Sequence, residues 1–282
     1  MFSLQKPTID KIEMYDKCVS SIKDIDKIQE LSDYKNIYLL NVSSYDYYAS
    51  KGSLCMLQKI TLPVIDHRNF VEYQTIKNVL RDLYDKLRNN KKPKLYYDKI
   101  LSLSKKCPFC GFGHIYTLDH YLPKSHFPIF SILPHNLVPC CRDCNAKKGS
   151  NYAMNIDLQT LHPYYDSDIL SERLVFAKIL EQNPMSIKFY VKHTDRIYNN
   201  RVKAHFQVYD LPKRFAVEAV ERINELNIKF MMANITTNDI KQELCAEFNA
   251  SKKINRNSWQ TAMYEALYKS NWYCREGYKQ KI

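Results

Sequence analysis

Cys107-Pro-Phe-Cys110-Gly-Phe-Gly113, then Leu118-Asp-His-Tyr-Leu-Pro-Lys-Ser125, then His135-Asn-Leu-Val-Pro-Cys-Cys141-Arg-Asp-Cys144-Asn-Ala-Lys-Lys-Gly149: these runs hold most of what the sequence says about fold and chemistry. Two C-x-x-C pairs frame the segment. Each is a tight turn that aims two sulfurs at one point, so Cys107, Cys110, Cys141 and Cys144 can offer four thiolates to one tetrahedral Zn²⁺. Cys140 competes in principle, but Cys141 keeps the two-residue spacing. Four cysteine ligands leave no open position for water or substrate, so the zinc reads as structural. Its role is to staple a small ββα unit that could not bury enough surface by itself.

Between the pairs lie polar residues that a staple does not need. Asp119 and His120 are adjacent and close a strand-like Ile115-Tyr-Thr-Leu118. Neighbours on a strand face opposite ways, so a ligand and a base at these positions require the strand to end or bulge there. Oxygen donors such as the Asp119 carboxylate and the Asn145 amide suit Mg²⁺ or Mn²⁺ rather than zinc.

In order and spacing, Asp119-His120, Asn136, Cys141-x-x-Cys144-Asn145 and Lys148 resemble the HNH (ββα-metal, His-Me finger) endonuclease signature over residues 107–149. The resemblance implies a hairpin and helix holding one catalytic cation. His120 would be the general base, Asp119 and Asn145 ligands of a catalytic Mg²⁺ or Mn²⁺, and Asn136 the residue bracing the loop and orienting His120. Asn145 stands where many members have histidine. Arg142, Lys147 and Lys148 would grip the phosphate backbone, and the products would carry 5′-phosphate and 3′-hydroxyl ends.

Outward from this segment the chain reads as α+β, a small ββα-metal centre in a mainly helical body. We divide it into a helical region (1–104), the nuclease-like core (105–152) and a second helical region with a short strand (153–282). The apolar residues of Phe70 to Leu87 recur at three- and four-residue spacing and predict a helix. Pro93 predicts a break before a further helix over Leu95 to Leu103. Ser186-Ile-Lys-Phe-Tyr-Val-Lys192 alternates as a strand does, Asp210-Leu-Pro opens a helix with a capping carboxylate, and two more helices are expected near Asp239–Phe248 and Ser258–Tyr268. Tyr45, Tyr47 and Tyr48 read as packing residues, as do Trp259 and Trp272. His67, His162, His193 and His205 read as surface or satisfied core residues, and His114, His126 and His135 as bystanders near the motif.

Lys and Arg number 42 against 30 Asp and Glu, a net charge of +12. That excess favours a polyanionic partner, here nucleic acid with DNA preferred to RNA, because each neutralised phosphate releases counterions. The nine cysteines are odd in number and accompany no export signal, so disulfides are not expected. Cys18, Cys55, Cys245 and Cys274 lie singly and read as small buried hydrophobes. No apolar run approaches bilayer length, and a soluble, cytoplasmic protein is expected. The stretches Arg196-Ile-Tyr-Asn-Asn-Arg201 and Tyr209-Asp-Leu-Pro-Lys-Arg214 are loosely similar to the region after the motif in bacterial anti-phage nucleases of the Septu and retron-linked type. That likeness implies a defence role and an ATPase partner subunit. A mobile-element nuclease and a restriction enzyme are its alternatives, and cutting both strands would call for a homodimer. A zinc-stapled binding or adaptor module would keep the cysteines and the charge, but has no need of Asp119, His120, Asn136 and Asn145 together.

Overall fold

The computed structural model describes residues 1–59, 70–233 and 235–280, with 58–59 and 70–76 described by backbone alone. His67 lies outside the described residues. The chain is a mixed α+β protein in two compact units. One comprises residues 3–108 and 113–167, the other residues 1–2, 109–112 and 168–282.

The first unit opens with four helices: α1 (Lys11–Val19), α2 (Ile25–Ser50), α3 (Phe70–Asn89) and α4 (Lys91–Leu101). Asp10 and Asp24 start the first two by accepting from backbone N–H groups that have no partner inside the helix. Tyr15 and Tyr38 stack at 4.6 Å in the shared core, beside Met14, Cys18 and Leu31. On α3 the predicted periodicity buries Val79, Leu80, Leu83 and Leu87 on one face. Burial of each such side chain contributes about 1.5–3 kcal/mol. The expected break at Pro93 falls earlier. The helix runs from Lys91, and Pro93 sits in its first turn, where a missing N–H costs nothing because no carbonyl is there to receive it.

Strands β1 (Thr117–His120) and β2 (Leu137–Cys140) follow as an antiparallel pair, with Leu118 opposite Pro139 and Asp119 opposite Val138. Among the described residues each strand has one partner, so Pro139 can turn its N–H-less side away from β1. Helix α5 (Arg142–Lys148) leads directly out of β2, and Gly149 ends it at φ +53°, ψ −131°, a backbone that a side chain would strain. Helix α4 packs on both strands. A division at 104 and 152 is therefore not where the compact units part. Four-residue strands and a seven-residue helix cannot hold themselves together, and they share the core of the preceding helices.

The second unit is built on a hairpin of β3 (Val175–Leu180) and β4 (Ser186–Val191), followed by α7 (Arg196–Val208), α8 (Leu211–Met232), α9 (Thr237–Ile254), α10 (Trp259–Lys269) and α11 (Asn271–Arg275); a single turn, α6 (Ser167–Leu170), precedes it. Strand β4 lies where the sequence placed it. Its partner β3 was not expected, since Val175-Phe-Ala-Lys-Ile-Leu180 shows no clean alternation, and its burial is correspondingly irregular. Helix α10 covers β3, and α8 covers β4. Asp210 does precede α8, but in a left-handed conformation (φ 51°) that turns its carboxylate from the capping position. Trp259 is buried as expected, and Trp272 lies against Gly277. No described helix is long and apolar enough to cross a membrane.

Candidate metal and catalytic site

The cysteines come together as their spacing foretold. One sulfur each from Cys107, Cys110, Cys141 and Cys144 lies within 4.8 Å of the others, all four residues buried. Thiolates at about 2.3 Å from a common tetrahedral centre stand at such separations, so the set fits a metal such as zinc. Local turns make the convergence. Gly111 takes φ +85° just past the first pair, and the Cys144 N–H points at the Cys141 sulfur, 3.4 Å away, as α5 begins. Cys140, the competing ligand, is outside this four-sulfur set but stands against it: its thiol meets those of Cys107, Cys141 and Cys144 and the Cys141 carbonyl at 3.3 Å.

Strand β1 ends at His120, and its last two side chains diverge. Asp119 is buried and meets α5: Lys148 Nζ lies 3.2 Å from Oδ1 and 3.1 Å from Oδ2, and it also donates to the His120 carbonyl at 2.6 Å. Only the Oδ1 contact has hydrogen-bond direction; Oδ2 is sealed from solvent without one. Burial raises the Asp119 pKa, against the opposing pull of Lys148. Lys148, expected as a phosphate contact, is thus drawn inward and about 4% exposed. Lys148→Met would strand a buried carboxylate, so we expect a loss of about 3–5 kcal/mol, read as a lower urea midpoint. An unchanged midpoint would show that the pair is not closed off from water.

His120 points the other way, towards α3. Its Nε2 is 2.8 Å from the Ser131 carbonyl, and its ring lies edge-on to Tyr84 with centroids 4.4 Å apart. A carbonyl can only accept, so Nε2 carries the hydrogen and Nδ1 keeps the lone pair. Burial, with smaller contributions from Lys124 and Lys148, pulls the pKa down to about 3 despite the Ser131 bond, and the imidazole is neutral at ordinary pH. Tyr84 is itself tied to the Leu118 carbonyl at 2.9 Å, and Lys124 lies over its ring at 4.8 Å.

Asn136 is fully buried in the loop between the strands. Its Oδ1 accepts from the Leu122 N–H (2.8 Å), and its Nδ2 donates to the carbonyls of Leu122 (3.0 Å) and Phe130 (3.1 Å). Further support comes from α2 and from beyond α5. His162 Nδ1 accepts from the Tyr164 N–H, which leaves its Nε2–H for the Tyr45 hydroxyl, and Tyr45 in turn donates to Asn136 Oδ1, each of the last two at 3.1 Å. Replacing Asn136 by alanine leaves several buried groups without partners at about 1–3 kcal/mol apiece. We expect Asn136→Ala to lose about 3 kcal/mol or more in chemical denaturation. A loss below about 1 kcal/mol would remove it as the brace of this loop.

Asn145 and Lys147 are exposed on α5, and Asn145 shares a helix face with Lys148 one turn on. Arg142 stacks on Tyr116, its guanidinium 3.5 Å from the ring centre. Sequence reasoning missed Tyr45, Tyr84, Ser131 and His162 as site residues, because nothing local marks a partner that arrives from a distant part of the chain. It also missed a neighbouring cluster in which Asp46 accepts from Lys11, Tyr165 and His135 Nδ1, the last at 2.7 Å. Burial opposes ionisation of Asp46, but these three donors outweigh it and hold its carboxyl well below the usual range.

No family model matches the chain, and no solved structure matches it. Protein ea31 of Escherichia phage lambda is 31% identical over 288 residues, an alignment that takes in 95% of this chain and 97% of that protein. The chain belongs to the ea31 family. Because the alignment runs almost end to end, the kinship covers the greater part of both units and not the cysteine segment alone.

Proposed function

We propose that this member of the ea31 family is a metal-dependent endonuclease of the HNH type. The observation that carries the reading is the pair at the end of β1. A neutral imidazole with its Nδ1 lone pair unclaimed by Ser131 stands beside a buried carboxylate whose Oδ2 has no directed partner. A hydrophobic core has no need of either, and the second costs stability unless something else uses it.

In this reading His120 takes a proton at Nδ1 from water as the water oxygen bonds to phosphorus. The bond from phosphorus to the 3′-oxygen breaks on the opposite side, leaving a 5′-phosphate and, once that oxygen gains a proton, a 3′-hydroxyl. Ser131 fixes the tautomer, Tyr84 the tilt of the ring, and Asn136 the loop that presents Ser131. Asp119 and Asn145 would hold Mg²⁺ or Mn²⁺, which supplies charge stabilisation at the phosphate and the departing oxygen. Asp119 Oδ2, buried and without a hydrogen bond although the Lys148 ammonium lies 3.1 Å away, fits an oxygen-liganded cation, and Lys148 supplies a compensating positive charge to the same carboxylate. Cys107, Cys110, Cys141 and Cys144 would hold zinc and keep hairpin and helix in register.

The net charge of +12 supports a nucleic-acid substrate, with DNA first in line. Kinship with a phage protein weighs towards a mobile-element nuclease among the biological settings, while the loose likeness over 196–214 supports anti-phage defence with an ATPase partner. Purified full-length protein should cut plasmid DNA, single-stranded DNA or RNA with Mg²⁺ or Mn²⁺ and stop with EDTA. His120→Ala should remove the cutting while retaining zinc and fold. Failure to cut any of the three with either metal overturns the nuclease reading in favour of a binding module.

A further inference from the structure

An extended segment, His114 to Tyr116, runs into β1. Tyr116 is tied into this extension by its N–H bond to the Cys140 carbonyl at 2.9 Å. Its side chain is 55% exposed even though Arg142 lies over the ring at 3.5 Å. Lys106 pairs with His114 across an isolated β-bridge and brings its Nζ to 3.4 Å from His114 Nε2. Lys105 next to it is exposed as well. One surface therefore carries an open aromatic ring, a guanidinium 3.5 Å over it, and the Lys106 ammonium beside His114 two residues away. Within the same unit, four residues of extended chain at about 3.3 Å each keep it within about 13 Å of His120.

A large exposed ring is costly to hydrate and contributes nothing to the core, whereas a planar cation on an aromatic face extends the flat surface. The partner that matches both the charge and the flatness is a nucleic acid with an unpaired base: the base stacks on the ring while its phosphates lie among the cations. A duplex meets the same cations but keeps its base faces covered. We infer that Tyr116 and Arg142 form a stacking platform for single-stranded nucleic acid beside the candidate catalytic centre. This rests on the nuclease reading for its purpose, although binding at the platform can be measured without any cleavage.

The test uses the full chain carrying His120→Ala, without added magnesium or manganese, and fluorescein-labelled 15-nucleotide DNA of one sequence as single strand and as duplex. Anisotropy gives both affinities. Tyr116→Ala should weaken single-strand binding about tenfold, within the range expected for loss of one base–aromatic stack, and duplex binding by less than about threefold. Tyr116→Phe should restore single-strand binding, and Arg142→Ala should weaken both forms and flatten their salt dependence. Zinc content and circular dichroism of each variant establish that the fold is kept. Equal loss for strand and duplex, no loss from Tyr116→Ala, or no single-strand binding by the parent chain overturns the platform. Those results leave metal-dependent cutting untouched, so the two readings fail separately.

Discussion

Cys144→Ser should lose its zinc and, with it, the order of the whole segment from residue 107 to 149. The magnitude follows from what else holds that segment. Strands of four residues and a helix of seven lie below the length at which either forms alone. Four thiolates on zinc contribute on the order of 10 kcal/mol in small metal-built domains, comparable to the whole stability of an ordinary domain. The helical core around Tyr15, Leu31 and Tyr38 is built by α1 and α2 and should outlast the loss of the four-cysteine set. We therefore expect local rather than global unfolding: one zinc per chain by elemental analysis in the parent, none in Cys144→Ser, and new protease cuts confined to that segment. Cys140→Ser is the informative control. Its sulfur stands beside the four-sulfur set without belonging to it, so the variant should keep its zinc. Zinc lost from Cys140→Ser but retained by Cys141→Ser would give the fourth position to the wrong neighbour.

That ligand set was legible because C-x-x-C is a local device: the chain needs only a turn to bring the pair together. The same holds for Asp119 and His120, which sit at a strand end for reasons written into adjacent residues. Legibility fails where geometry is set by distant chain. Lys148 looks like a surface cation in sequence, three residues past an exposed asparagine, yet α5 turns its ammonium onto Asp119 and the His120 carbonyl. Tyr45 sits among other tyrosines in an unremarkable helix, and only the fold brings its hydroxyl to Asn136. Strand β3 was missed because Val175-Phe-Ala-Lys-Ile-Leu180 is apolar at positions of both faces and so shows no period of two. Tyr116 was passed over as one residue of the strand-like Ile115-Tyr-Thr-Leu118, since exposure is a property of the assembled surface.

His120→Ala should lower cleavage by about 10²–10⁴-fold, the usual contribution of a positioned general base. The difficulty is that this histidine is also structural. Removing it opens a space beside Tyr84 and leaves the Ser131 carbonyl without its donor, which costs about 1–3 kcal/mol and could lower activity by loosening the site. Tyr15→Phe separates the two effects. It deletes the hydroxyl that bonds the Leu31 carbonyl at 2.7 Å, in the same unit but between α1 and α2 rather than in the motif, and should cost about 1 kcal/mol of stability. If chemistry is what His120 supplies, Tyr15→Phe will cut at near-parental rates below its unfolding transition while His120→Ala will not. An equal fall in both would assign the loss to stability and remove His120 as the base. Asp119→Ala adds a third comparison. It removes a proposed cation ligand and leaves Lys148 as a buried ammonium without its carboxylate, so its defect should be partly relieved by Lys148→Met in stability but not in cutting. Relief of both would mean that Asp119 serves only to neutralise Lys148, and the cation would then need another ligand.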